Sequence, residues 1–177
     1  MLVSLPTLDA ILQAHANALS EDLPRYRNHA YRVANFHWAL SPGSSMDLEI
    51  VSVAVAFHDL GLWTANTFDY LAPSEALAIQ YLEDQGRRDW IPMVVAMIDH
   101  HHQLSEFEGA HSRLVDNFRR ADWIDVTMGL RRFGLPSSDL KGINRQFPYL
   151  GFHQRLVRIG LGYAWRHPFN PLPMFKR

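Results

Sequence analysis

The sequence contains no cysteine, which excludes disulfide bonds and thiolate metal sites. Any metal ion therefore has to be bound by imidazole and carboxylate side chains. The longest apolar run covers about residues 50–57 and is far too short to span a bilayer. The first residues also lack the charged and apolar regions of a signal peptide. We therefore expect a soluble, cytoplasmic protein without a membrane partner.

The alternating pattern of β-strands is also scarce, whereas apolar residues recur at helical spacing along most of the chain. The 177 residues are 47% hydrophobic and 12% aromatic, which is sufficient for one domain with a full core. We predict an all-α fold, a single compact helical domain over residues 1–177. Its core is expected at about residues 25–128, followed by a C-terminal helical and loop extension at about residues 129–177.

Six helices are expected before the extension, with boundaries that follow from apolar spacing and turn residues. They cover about residues 8–19, 26–40, 47–60, 73–86, 89–102 and 112–125. The third is apolar on nearly every face and is predicted to end at Gly61, a residue type favoured just after a helix. Residues 129–149 are rich in Gly, Pro and Ser, so we expect a loop with short helical turns there, and a last helix at about residues 150–165.

The formal net charge of −1 hides a strong asymmetry along the chain. Residues 1–111 hold 5 Lys and Arg against 14 Asp and Glu, whereas residues 112–177 hold 12 against 4. Most of the cations in the second part are arginines, which suit planar contacts with phosphate or carboxylate. Two interpretations stay open: the two parts neutralise each other in the fold, or the C-terminal part forms an anion-binding wall.

Four titratable residues fall on the apolar faces or at the ends of predicted helices. His58 and Asp59 close the most apolar helix, and His29 lies on the apolar face of the helix before it. Asp122 lies on the apolar face of the sixth helix, where a carboxylate is costly unless it is paired or bound to metal. Two imidazoles and two carboxylates suit one divalent metal ion, and Mn, Fe, Co, Ni, Zn and Mg are all compatible with them.

These residues, in their order and helical setting, resemble a known signature. The HD superfamily of metal-dependent phosphohydrolases carries a His…His-Asp…Asp pattern, which is matched here by His29, His58-Asp59 and Asp122. The resemblance covers roughly residues 25–128 and implies an HD-type helical bundle with the metal site in its core. It also implies an enzyme that hydrolyses a phosphate ester of a nucleotide or of another small metabolite. A minority of the superfamily are hydratases such as the cyanamide hydratases, and a few are di-iron oxygenases.

The sequence departs from common patterns of the superfamily at two places. Many members carry Lys directly after the His-Asp-x-Gly unit, where this chain has Leu62. This departure leaves open a hydratase or hydrolase of a small uncharged molecule. Members with two metal ions usually carry another His near the start of the next helix, where this chain has Ser74 and Glu75. We therefore expect one metal ion. A metal-stabilised regulatory module without catalysis is a third alternative.

The resemblance also implies roles for residues beside the metal ligands. Catalytic roles fall to Asp59, to Asp69 in the loop where relatives often place acid or base residues, and to His101 in a run of three histidines. Substrate-binding roles fall to His102 and to Arg32, an arginine one turn from a predicted ligand that could clamp an anion.

The expected partner is a small, anionic substrate. The chain has no recognisable nucleic-acid-binding motif, so we expect no nucleic-acid partner. Whether the protein forms a homo-oligomer stays open at this point.

Overall fold

The computed structural model describes residues 1–169, which form ten α-helices and no strand. The all-α prediction is therefore confirmed for this part of the chain. The helices are α1 (Pro6–Ala14), α2 (Ala16–Leu19), α3 (Leu23–Leu40), α4 (Ser45–Phe57), α5 (Gly61–Thr64), α6 (Leu71–Asp84), α7 (Ile91–His100), α8 (Ser112–Val126), α9 (Ser137–Gln146) and α10 (Phe152–Arg166). The end of the predicted extension, residues 170–177, lies outside the described residues.

Helices α3, α4, α7 and α8 form one packed group. Helix α3 packs against α4 and α8, and α7 packs against α4, α6 and α8. The packing follows from the apolar faces that the sequence places on each helix, and α4 is buried from Ile50 to Phe57. A capping box fixes the start of α4, because Ser44 accepts a hydrogen bond from the Asp47 amide and Asp47 accepts one from the Ser44 amide.

The end of α4 differs from the prediction. The helix stops at Phe57, and Gly61 begins the short helix α5 instead of capping α4. The requirement for glycine is steric, because a Cβ at position 61 would collide with the Tyr70 carbonyl oxygen. Gly61 thus lets the segment before α6 pass close to the end of the most buried helix.

The predicted loop at residues 129–149 contains a ten-residue helix, α9, which the prediction missed. Pro136 is extended and precedes the helix, Asp139 lies in its first turn, and Ile143 is buried against the core. Helix α9 packs on α3. Its Gly and Ser residues led to the loop prediction, and the packing of one apolar face outweighs their low helix propensity.

The acidic and basic parts of the chain meet through specific ion pairs. Arg113 lies 2.7 Å from Asp47, and Arg155 lies 2.8 Å from Asp22. Mutual neutralisation therefore accounts for some of the charge asymmetry. No helix of the described part is long and apolar enough to cross a membrane.

Candidate metal centre

The four predicted ligands converge on one point in the core. The two Nε2 atoms of His29 and His58 lie 2.9 Å apart. Asp59 Oδ2 lies 3.6 Å from His29 Nε2 and 3.4 Å from His58 Nε2, and Asp122 Oδ1 lies 3.7 and 3.8 Å from the same two atoms. No more than 5% of any of these four residues is exposed. Helix α3, the turn after α4 and helix α8 each contribute to the cluster.

The end of α4 is positioned by a buried phenol. The Tyr26 hydroxyl donates to the Ala56 carbonyl oxygen at 3.0 Å and accepts from the Asp59 amide at 3.3 Å. The Tyr26 ring also stacks on the His58 ring, and Phe118 meets that ring edge-on. Helix α3 therefore fixes the place where His58 and Asp59 leave α4.

Backbone carbonyls fix the tautomers of two histidines. His58 Nδ1 lies 3.0 Å from the Val55 carbonyl oxygen, and His101 Nδ1 lies 2.6 Å from that of Ile98. A carbonyl oxygen only accepts, so each Nδ1 carries the proton and each Nε2 presents a lone pair. In both cases the carbonyl belongs to the residue three positions earlier, so each histidine is oriented by the end of its own helix.

A carboxylate fixes the third tautomer. His29 Nδ1 donates to Asp125 Oδ2 at 2.6 Å, which leaves the His29 Nε2 lone pair facing the lone pair of His58. Two lone pairs at this distance repel each other, so the contact requires either a proton or a metal ion between the two nitrogens. Asp59 Oδ1 is also buried and has no hydrogen-bond partner within residues 1–169. The donor set thus fits a divalent metal ion.

The ionisation of the cluster agrees with this interpretation. Burial lowers the pKa of His58 to about 3, so its imidazole stays neutral and able to bind metal at neutral pH. Burial also raises the pKa of Asp122 to about 7; His101 and His29 oppose this shift, and the carboxylates of Asp59 and Asp125 add to it. A bound metal ion would supply the missing positive charge.

Arg32 does not have the role predicted for it. It is fully buried, its guanidinium forms two bonds to Asp125 at 2.5 and 3.0 Å, and it donates to the Phe147 carbonyl oxygen at 3.0 Å. These contacts use its planar donors on the side of His29 away from the cluster, so Arg32 is not placed to clamp a substrate. Burial opposes ionisation of Asp125, but His29 and Arg32 outweigh it and hold the pKa of Asp125 below its usual range.

Asp125 contacts the cluster through His29 and is not among the site residues predicted from the sequence. It orients His29, as carboxylates behind metal-binding histidines commonly do. The available signal was its position three residues after Asp122, on the same face of α8.

A second group of potential ligands shares Asp59 with the first. His101 Nε2 lies 3.5 Å from Asp59 Oδ1, and Asp59, His101 and His102 offer ligand atoms within 4.8 Å of one another. His101 thus lies in the cluster, where the sequence placed it. His102 contacts the Tyr70 hydroxyl through Nε2 at 2.5 Å, and burial lowers the pKa of His102 well below its usual value.

Tyr70 lies where an acid or base residue was expected, and Asp69 does not. The Asp69 side chain is exposed, and its amide bonds to the Thr67 hydroxyl. Phe68 and Tyr70 on either side of it are buried, and the Tyr70 hydroxyl lies 3.5 Å from His101 Nε2. The structure therefore does not bring Asp69 to the cluster. A tyrosine between apolar residues looks like an ordinary core residue in a sequence, so Tyr70 was missed.

Two departures from the superfamily pattern have structural roles here. Leu62 is buried in α5. The Ser74 hydroxyl, at the position where the HD signature with two metal ions has His, accepts a hydrogen bond from the Gly61 amide at 2.9 Å. Ser74 thus holds the turn after the His-Asp pair.

The C-terminal extension closes the cluster from one side. The Phe152 ring of α10 stacks on the His29 ring with centroids 4.2 Å apart and planes 16° apart. His153 Nε2 lies 3.7 Å from Asp125. Residues beyond the predicted core therefore contribute directly to the surroundings of a ligand.

Comparison with models of known families, with curated proteins and with solved structures gives no match. The HD resemblance thus stays a prediction that rests on the ligand pattern.

Proposed function

We propose that this protein is a metal-dependent hydrolase whose divalent metal ion is held by His29, His58, Asp59 and Asp122. The observation that carries the proposal is the approach of two imidazole lone pairs to 2.9 Å, with both Nδ1 atoms already committed to other acceptors. A divalent ion in such a site polarises a substrate oxygen and lowers the pKa of a bound water.

His101 and Tyr70 can accept or donate protons at the cluster. His101 Nε2 presents a lone pair beside Asp59 and can accept a proton from water. Burial opposes protonation of His101, but Asp59 and Asp122 outweigh it and raise its pKa, which makes it a stronger base. The Tyr70 hydroxyl lies within reach of both His101 and His102 and can donate to a substrate oxygen or leaving group.

The first substrate class is a phosphate ester of a nucleotide or another small metabolite, as the HD resemblance implies. The ligands are almost completely buried, so only the reacting group of such a substrate, or a very small molecule, fits beside them. The roles of His102 and Tyr70 are then to contact the phosphoryl oxygens on the face opposite His29.

One observation favours a second candidate, the hydration or hydrolysis of a small uncharged molecule. Arg32 is occupied by Asp125, so it provides no positive charge to a phosphate at the cluster. The surroundings are instead aromatic, because Tyr26 and Phe118 pack on His58 and Trp63 packs on Tyr26. Such a wall suits a compact neutral substrate better than a doubly charged one.

Elemental analysis of the purified protein tests the metal site. We expect about one divalent ion per chain, and almost none after His58→Ala or Asp59→Ala, with lower stability in both variants. His167→Ala and Asp69→Ala change exposed residues of the same types and should retain the metal. Equal metal content in all variants would contradict the site. Two ions per chain would instead assign Asp59, His101 and His102 to a second ion.

Activity assays with added Mn²⁺, Co²⁺ or Ni²⁺ then separate the candidate functions. Release of inorganic phosphate from a panel of phosphate esters, lost in Asp59→Ala, supports the first candidate. Turnover of cyanamide or nitriles without phosphatase activity supports the second. A metal-loaded protein that turns over neither class would favour a regulatory module.

A further inference from the structure

A second cleft lies outside the metal cluster, between residues 66–68 and helix α10. Its volume is about 250 Å³. The α10 side presents Arg155, Arg158, Gly162 and Arg166, whose spacing of three and four residues places them on one face of the helix. Three guanidinium groups therefore line one wall of a small concave surface.

The charges on this wall are only partly neutralised. Arg155 pairs with the buried Asp22 at 2.8 Å. Arg158 and Arg166 are exposed, and neither has a carboxylate partner within the described range 1–169. Like charges one or two turns apart on a helix repel one another, so the wall gains stability from any anion that enters the cleft.

The floor of the cleft is open and partly aromatic. A Cβ at Gly162 would meet no atom within 4 Å, so the glycine leaves free space at the middle of the arginine face. Phe68 and Tyr163 also line the cleft, with ring centroids 5.9 Å apart. A small ligand can thus lie against a ring while arginines contact its charged end.

We propose that this cleft binds a phosphate-bearing anion, at a site separate from the metal cluster. Arginine is the side chain best suited to phosphate, because its planar donors contact two oxygens at once. Phe68 separates the two sites: one side of it faces the cleft, and its ring lies 6.1 Å from that of Tyr70, which contacts the histidines of the cluster. The proposal goes beyond the hydrolase function and does not depend on it.

Calorimetric titration of the full chain with inorganic pyrophosphate tests the site. Arg158→Ala and Arg166→Ala should each weaken binding roughly tenfold, the loss expected for one charge-assisted contact. Arg145→Ala is the matched control, because it removes an exposed arginine from α9 and should leave the affinity unchanged. Gly162→Leu keeps every charge but fills the cleft, and it should also weaken binding.

Three outcomes would overturn the proposal. They are an absence of pyrophosphate binding, an equal loss in Arg145→Ala, and full affinity in Gly162→Leu with circular dichroism showing a folded protein. Asp59→Ala separates this proposal from the hydrolase proposal. Retained binding in that variant supports an independent cleft even if no hydrolase activity is found. Loss of binding there, with full affinity in Arg158→Ala, would place the anion at the metal cluster instead.

Discussion

The two sides of the buried His-Asp cluster are held in place in different ways. His58 and His101 each donate to a carbonyl oxygen three residues earlier, so their orientation depends on the end of one helix. His29 donates to Asp125, 96 residues away in the sequence, and Asp125 is in turn held by Arg32. One side is thus fixed by local backbone geometry, and the other by a buried ion pair that joins α3 to α8.

This difference determines which substitutions should disturb the cluster most. A local carbonyl anchor persists as long as its helix does, whereas the anchor of His29 needs two charged side chains and two backbone carbonyls from residues 147 and 148. Removing one member of a buried ion pair leaves the other charge without compensation, which costs more than the pair itself contributes. We therefore expect substitutions behind His29 to be more harmful than those elsewhere around the cluster.

Asp125→Ala should have the largest effect on both stability and metal affinity. It leaves Arg32 charged and buried without its partner, and we expect a loss of about 3–5 kcal/mol in the free energy of unfolding. The freed His29 ring should also lower metal affinity by roughly 10- to 100-fold. Denaturant titration and metal titration measure the two effects.

The double variant Arg32→Met with Asp125→Leu is the control. It removes both charges, so most of the stability should return while the metal affinity stays low. If Asp125→Ala left the metal affinity unchanged, His29 would not depend on this ion pair, and the comparison would fail.

His37 is a buried histidine whose Nε2 has no hydrogen-bond partner among residues 1–169, so it differs from both kinds of anchored histidine. Burial lowers its pKa from 6.5 to about 4; a hydrogen bond with the Leu114 backbone and the charge of Asp47 oppose the shift, and Arg113 adds to it. In the unfolded chain His37 binds a proton below pH 6.5, whereas in the folded protein it does so only near pH 4. Its contribution is therefore present above pH 6.5 and lost as the pH falls to about 4, by about 3 kcal/mol.

Denaturant titrations between pH 4 and 7 measure this loss. The free energy of unfolding of His37→Leu should decrease less steeply with falling pH than that of the natural protein. His167→Leu changes an exposed position, and its free energy of unfolding should follow that of the natural protein. Parallel curves for all three proteins would show that His37 is protonated in the folded state as readily as in the unfolded chain.

Asp59 is intermediate between the local and the ionic anchors, because its amide donates to the uncharged hydroxyl of Tyr26, 33 residues away. Tyr26→Phe removes this hydroxyl and its bond to Ala56, while the ring continues to fill the core. We expect a loss of about 1 kcal/mol in the free energy of unfolding and a small fall in metal affinity. A loss as large as that of Asp125→Ala would mean that a neutral anchor matters as much as an ionic one.

The sequence predicted most of the longer helices and the proximity of four cluster residues, because burial of apolar faces sets both. His29, His58, Asp59 and Asp122 lie together as expected, since each follows from the period of one helix. Arg32 was misplaced because periodicity gives the face of a residue but not its partner, and that partner lies 93 positions away. Asp69 was expected at the cluster, where Tyr70 lies instead, because the path of a non-helical segment has no periodicity from which the direction of a side chain can be predicted.

The ion pair behind His29 also bears on the order in which the protein assembles. A chain synthesised from its N-terminus presents His29, His58, Asp59 and His101 before Asp122 and Asp125 exist, and the carbonyls that complete Arg32 come still later. Contacts that close such long loops form after local helices have formed. His29 therefore stays without its anchor until α8 and residues 147–148 have been synthesised, and the cluster reaches its full geometry only then.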